Sequence, residues 1–182
     1  RKDQYCLFWP VSGQDRGIIA ATGQKQCYDT QGREISCRAT GQDGELQMGL
    51  AWPEPRFAVE DSVVLDRLTG LYWLQDADIR PRIMDWEETL TYVRNLDLQL
   101  PEPSMRWRLP TINELESLVD CSRHTPALPA GHPFKNVRDV YWSSTTSFFE
   151  TAWAWALYFK KGATGVGFKK EKTFHLWPVA SP

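Results

Sequence analysis

The chain has 182 residues, 42% of them apolar, and a formal charge of −2. That length buries one substantial core with a small appended unit, and the composition argues against disorder over most of it. No apolar run approaches the roughly 18 residues of a membrane span, no signal peptide is visible at Arg1, and no nucleic-acid partner is expected.

The chain starts without Met, so a preceding segment removed during processing is expected. Nine tryptophans are spread from Trp9 to Trp177, which points to repeated use in packing rather than to one aromatic cage. Charge is uneven. Residues 153 to 182 hold Lys160, Lys161, Lys169, Lys170 and Lys172 against Glu171 alone, a net of +4, which leaves −6 for the remainder. Such a lysine run is ordinarily a solvated hairpin, and otherwise a surface for an acidic glycan or another anion.

Residues 1–58 are rich in Gly, Gln and turn formers and read as an irregular N-terminal extension. Cys27 and Cys37 bracket a segment whose Gln31-Gly32 resembles a turn, so a disulfide across a hairpin is expected. Cys6 and Cys121 form the remaining pair. With no CxxC, zinc is not expected. The triplet Thr-Gly-Gln at residues 22–24 recurs at 40–42, and the two copies are expected to form similar turns flanking the hairpin. Gln42-Asp43-Gly44-Glu45 offers oxygens to calcium but lacks the spacing of a calcium loop. Trp52-Pro53-Glu54-Pro55 forces an extended connection.

From Ser62 the sequence is orderly. Two strands around Leu68-Thr69-Gly70 form a hairpin with Val63, Leu65, Leu71 and Trp73 inward. Asp85, with Glu88 three positions on, caps a helix whose buried edge is Trp86, Leu90, Val93 and Leu96 or Asp97, and Pro101 and Pro103 end it. Thr111 and Glu114 form a second capping box, with Ile112, Leu115, Leu118 and Val119 on one helical side. Arg108 is placed to pair with a helix carboxylate. Residues 122–139 form a long loop containing His124 and His132, without carboxylate or cysteine at metal-ligand spacing. Tyr141–Thr146, Thr151–Phe159, Val166–Lys170 and Phe174–Val179 then read as a four-stranded antiparallel meander. In the second of these Trp153, Trp155, Leu157 and Phe159 share one face and Ala152, Ala154 and Ala156 the other.

No catalytic constellation is found. Ser143 and Ser144 lack a nucleophile elbow and are expected to satisfy strand-end backbone groups. The exposed-looking Phe148-Phe149-Glu150 beside Lys160, Lys161, Lys169, Lys170 and Lys172 is the candidate ligand surface. Aromatic faces there suit sugar rings or a protein partner, and lysines suit sulfate or carboxylate.

The ordered motifs VLDRLTGLYWLQDAD, DWEETLTYVRNLD, WRLPTINELESLVD, PALPAGHPF, YWSSTT, AWALYF and HLWPV closely resemble the Lcl C-terminal domain family, named for a bacterial collagen-like adhesin. The TGQ, CYD and AWPEPRF stretches look like the leader that many members carry. The resemblance implies an α+β, C-type-lectin-like fold over residues 59–182, with two helices packed on antiparallel strands and related to the formylglycine-generating-enzyme branch. It implies an exported cell-surface or envelope protein that binds ligands, sulfated glycans included; with no catalytic constellation among the residues, neither catalysis nor a cofactor is expected. Family members trimerise, so self-association is left open, although no collagen-like repeat is present. The alternative is a structural or protein-interaction domain of an envelope assembly. Formylglycine-generating relatives use a cysteine pair near the C-terminal end, and this chain has no cysteine after Cys121. The sugar-binding signatures of calcium-dependent lectins are also missing.

Overall fold

A computed structural model describes residues 19–79, 82–96 and 105–181. Strand β1 (Cys27–Tyr28) pairs antiparallel with β2 (Glu34–Ile35) across a turn at Gly32, and the Cys27–Cys37 disulfide closes the hairpin. The two Thr-Gly-Gln triplets do form one and the same turn. In each, the threonine hydroxyl accepts from the glutamine N–H at 3.2 Å, and the glycine takes a positive φ, +85° at Gly23 and +68° at Gly41. Helix α1 (Asp43–Leu46) occupies the acidic segment weighed above as a calcium loop, and the Glu45 carboxylate is taken up by the N–H groups of Ala39 and Gly41.

The extension is fastened to the rest of the chain. The Trp52 indole donates to the Ala21 carbonyl, the Cys121 N–H donates to the Thr22 carbonyl, and a side chain at Gly23 would meet Asp120 and Trp52 at 2.6 Å. A boundary at residue 58 falls inside β3 (Phe57–Glu60). Cys121 is an exposed free thiol, while Cys6, its expected partner, lies outside the described residues. Burial and the neighbouring Asp120 and Asp43 raise its pKa. Thiol reagents are therefore expected to label Cys121 in unreduced native protein, faster as pH rises, and to reach Cys27 and Cys37 only after reduction. Peptide mapping that finds Cys121 unlabelled at alkaline pH contradicts this.

A five-stranded antiparallel sheet runs in the order β3, β4 (Val63–Asp66), β5 (Leu71–Leu74), β10 (Val179–Ser181), β6 (Arg106–Arg108). Both of its faces are covered. Val63, Leu74, Trp107 and Ala180 enter one hydrophobic cluster, and Val64, Trp73 and Val179 enter another. One-sided alternation therefore fails for the β4–β5 hairpin: Val63, Val64, Trp73 and Leu74 are buried, whereas Leu65 and Leu71, paired nearer the turn, are only half-buried.

Both capping boxes form. Asp85 starts α2 (Trp86–Arg94) and Thr111 starts α3 (Ile112–Ser117), each with its glutamate reaching back to the cap N–H. Helix α3 stops sooner than its apolar stripe suggests, because the N–H groups of Leu118 and Val119 bond three residues back and tighten the last turn. Leu115 and Leu118 are nonetheless fully buried. Helix α2 ends with Asn95 as its C-cap, and Asp97, Pro101 and Pro103 lie outside the described residues. Arg108 pairs with Glu114 through two short bonds, 2.7 and 2.6 Å.

The meander has three strands rather than four: β7 (Val140–Thr146), β8 (Trp153–Tyr158) and β9 (Ala163–Phe168). The expected fourth strand makes only single bridges, Phe174 to Met84 and His175 to Tyr141. Pro178 has no N–H to donate, and the ladder resumes after it as β10, between β5 and β6 in the other sheet. The alanine face of β8 behaves as expected. Ala154 and Ala156 are buried in the cluster that holds Val93 of α2 and Trp142 of β7.

Candidate functional site

The connection from β7 to β8 is closed at its base. The Ser147 N–H donates to the Trp153 carbonyl and the Trp153 N–H donates back to the Glu150 carbonyl, each at 2.9 Å. Lys169 braces the same base, donating from Nζ to the Thr146 hydroxyl at 2.8 Å and to the Thr151 carbonyl at 3.0 Å. The turn so formed holds Phe148 and Phe149 out in solvent, 95% and 94% exposed, with Glu150 beside them.

The lysines divide into two groups that the sequence did not separate. Strands β8 and β9 are antiparallel, with Trp153 opposite Phe168 and Tyr158 opposite Ala163. Lys169, Lys170 and Lys172 follow β9 at the phenylalanine end, and Lys160 and Lys161 occupy the turn at the other end, about 17 Å along the ladder. Lys160 and Lys161 therefore do not belong to a surface centred on Phe148 and Phe149. Lys161 lies over the Tyr158 ring at 5.4 Å. Within the near group, Lys169 is half-buried and sits 4.2 Å from the centre of the Trp86 ring, while Lys172 pairs with Glu88 at 2.5 Å. Lys170 and Lys172 are both exposed, and among the described residues Lys170 has no hydrogen bond or ion pair through its side chain.

Beside this end lies a cleft of about 810 Å³ between α2 and the β8–β9 hairpin. Trp86, Leu90 and Phe168 supply its apolar wall, and Arg94, Lys170 and Glu87 its charged rim. Trp86 is set by three contacts: its N–H donates to the Lys169 carbonyl, its indole donates to the Ser143 carbonyl at 2.7 Å, and Lys169 covers one ring face. Trp86 and Leu90, expected on the buried edge of the helix, are half-buried and pack against the core as well as lining the cleft, whereas Arg94 was not among the expected site residues. The available signal was spacing, since Trp86, Leu90 and Arg94 recur every four residues and share one helix face. A smaller cleft of about 480 Å³, lined by Arg82, Tyr92 and Asn95 among others, adjoins the first along α2 and shares Asp85, Glu87 and Thr91 with it.

A second polar cluster joins an acid, a histidine and a tyrosine. Asp78, nearly buried, pairs with Arg138 at 2.5 Å, and the Tyr141 hydroxyl accepts the Arg138 N–H at 2.6 Å. His175 Nδ1 lies 3.4 Å from the other Asp78 oxygen. No serine hydroxyl joins them. Ser143 and Ser144 donate to the carbonyls of Trp155 and Pro110, satisfying backbone as expected. Among the described residues, no three His, Cys, Asp or Glu side chains converge to hold a metal ion.

Burial lowers the pKa of both His132 and His175, with Asp78 opposing the shift at His175 only in part. A folded-state pKa below the ordinary 6.5 means that the unfolded chain takes up protons first on acidification. Stability contributed by the neutral rings is complete above that value and declines below it. The lowered carboxylates Glu45, Glu88 and Glu114 act later, below their ordinary 4.5. The melting temperature is thus expected to fall between about pH 7 and about pH 5.5, before carboxylates titrate. A flat profile there contradicts neutral buried histidines.

Two antiparallel sheets with helices packed on them, a disulfide-bonded extension and a cleft beside an aromatic tip define an α+β domain built mainly from antiparallel strands. Residues 62–180 match the family model described as the Lcl C-terminal domain, and the chain belongs to that family. No curated protein and no solved structure matches it. The family marks a cell-surface, adhesin-related domain, and the Cys27–Cys37 disulfide is consistent with an exported protein. Among the described residues, no helix is long and apolar enough to cross a membrane.

Proposed function

We propose that this domain is a non-catalytic recognition module of an exported envelope protein, that its arrangement is C-type-lectin-like, and that it binds an acid-bearing glycan in the cleft between α2 and the β8–β9 hairpin. The observation that carries the reading is the composition of that cleft. Trp86 and Phe168 offer supported aromatic surface, Arg94 and Lys170 offer cations for sulfate or carboxylate, and Glu87 offers an acceptor for sugar hydroxyls. No bound cation is called upon. A glycan array probed with and without calcium tests this: the reading expects acidic glycans to be retained equally in both, and calcium-dependent or purely neutral binding would overturn it.

A protein-interaction role within an envelope assembly is the second reading. It is favoured by the open edge strand β3, where Val59 is half-exposed. Native mass spectrometry that finds a stable larger complex would support it over the first.

A further inference from the structure

We propose that Phe148 and Phe149 form a prong that inserts into the interfacial region of a lipid bilayer, holding the domain against a membrane surface while the cleft remains free. The proposal is independent of what the cleft binds.

Three observations favour a bilayer over other occupants. First, the rings are unsupported. A ring used as a sugar platform has one face backed by protein, as with Trp153 and Phe168, half-buried and 5.6 Å apart, whereas Phe148 and Phe149 are open on both faces at 95% and 94% exposure. Second, the turn that carries them is braced, by the Ser147–Trp153 and Trp153–Glu150 backbone bonds and by Lys169 on Thr146 and Thr151. The backbone of the turn is therefore held in place, and from it both rings stand exposed to solvent. Third, they are adjacent in sequence on one turn and each is almost wholly exposed, so a fluid apolar phase can bury both together without a preformed pocket for either. Burial of each ring from water is worth about a tenfold factor or more in partitioning.

Charge around the prong is mixed. Exposed Lys170 stands at its base and favours anionic headgroups, and Glu150 beside the rings opposes them. Replacing Glu150 should therefore strengthen binding to anionic lipid in particular.

The test is co-sedimentation of the full chain with vesicles of phosphatidylcholine alone and of phosphatidylcholine with an equal part of phosphatidylglycerol. Wild-type protein is expected to sediment with both. Phe148→Ala/Phe149→Ala should lose about a hundredfold in apparent affinity, Phe148→Leu/Phe149→Leu should retain most of it, and Glu150→Gln should gain on the phosphatidylglycerol vesicles. Because the two rings touch nothing that holds the fold, unchanged melting of the alanine variant separates loss of binding from loss of structure. No sedimentation of the wild type, or sedimentation equal in the alanine variant, overturns the proposal. So does a leucine variant as defective as the alanine one, because burial of apolar area would then not be what holds the domain to the vesicles.

Discussion

Asp66→Ala is expected to destabilise the domain by about 3–5 kcal/mol, the range for a buried ion pair deprived of one partner. Asp66 is fully buried and accepts from Arg56 Nε at 2.9 Å and Nη2 at 2.8 Å, and also from the Leu68 N–H and the Thr69 hydroxyl that shape the β4–β5 turn. Its removal strands the Arg56 guanidinium, which has 6% exposure and one nitrogen, Nη1, already without a partner. The rings of Trp52 and Phe57, each 4.9 Å from the guanidinium carbon, keep water from replacing the carboxylate. Arg56 Nη2 also donates to the Ser117 carbonyl at the end of α3, at 2.6 Å, so this pair fastens extension, sheet and helix together. Replacing both partners by apolar residues should cost much less than removing Asp66 alone, since no charge is then left buried. Urea midpoints report the difference; a single-variant loss below about 1 kcal/mol would show that the pair is accessible to water.

Trp177→Ala is expected to cost about 3–5 kcal/mol, as for other buried large aromatics. The indole is fully buried and lies within ring-contact distance of Trp73, Phe134, Tyr141 and Phe159, at 4.8 to 5.7 Å between centroids. Its N–H donates to the Leu74 carbonyl at 2.9 Å, so truncation both opens a cavity and removes a backbone partner. Trp177 also stands just before Pro178, where the chain leaves the meander for the other sheet. Its loss would therefore weaken the junction of the two sheets rather than one of them. Trp155→Ala, at a ring 36% exposed on β8, should cost less, about 1–2 kcal/mol. Comparable losses in the two variants would contradict the burial pattern.

Features determined by a few neighbouring residues were legible in the sequence. The two capping boxes, the Cys27–Cys37 hairpin, the paired Thr-Gly-Gln turns and the Arg108–Glu114 pair each depend on groups within about ten residues. The path of the C-terminal segment was not legible, because the choice between two sheets depends on distant strands; Pro178 signalled a break but not a destination. Strand faces in β4 and β5 were misjudged for a related reason, since nothing in either strand announces a core on both sides. At the candidate site, Phe148 and Phe149 are exposed as expected. The lysines, by contrast, were grouped by sequence proximity, and an antiparallel hairpin places residues eight or nine apart at opposite ends. Arg94 was missed because its helix pattern was read only for what it buries.

That division of the lysines supplies the most direct test of the recognition account. Two double variants remove the same charge: Arg94→Gln/Lys170→Gln at the cleft, and Lys160→Gln/Lys161→Gln at the far turn. On an immobilised sulfated polysaccharide, the account predicts that the cleft variant elutes at distinctly lower salt than wild type while the far-turn variant elutes with it. Equal shifts in both, or a shift confined to Lys160 and Lys161, would contradict a binding site in the cleft.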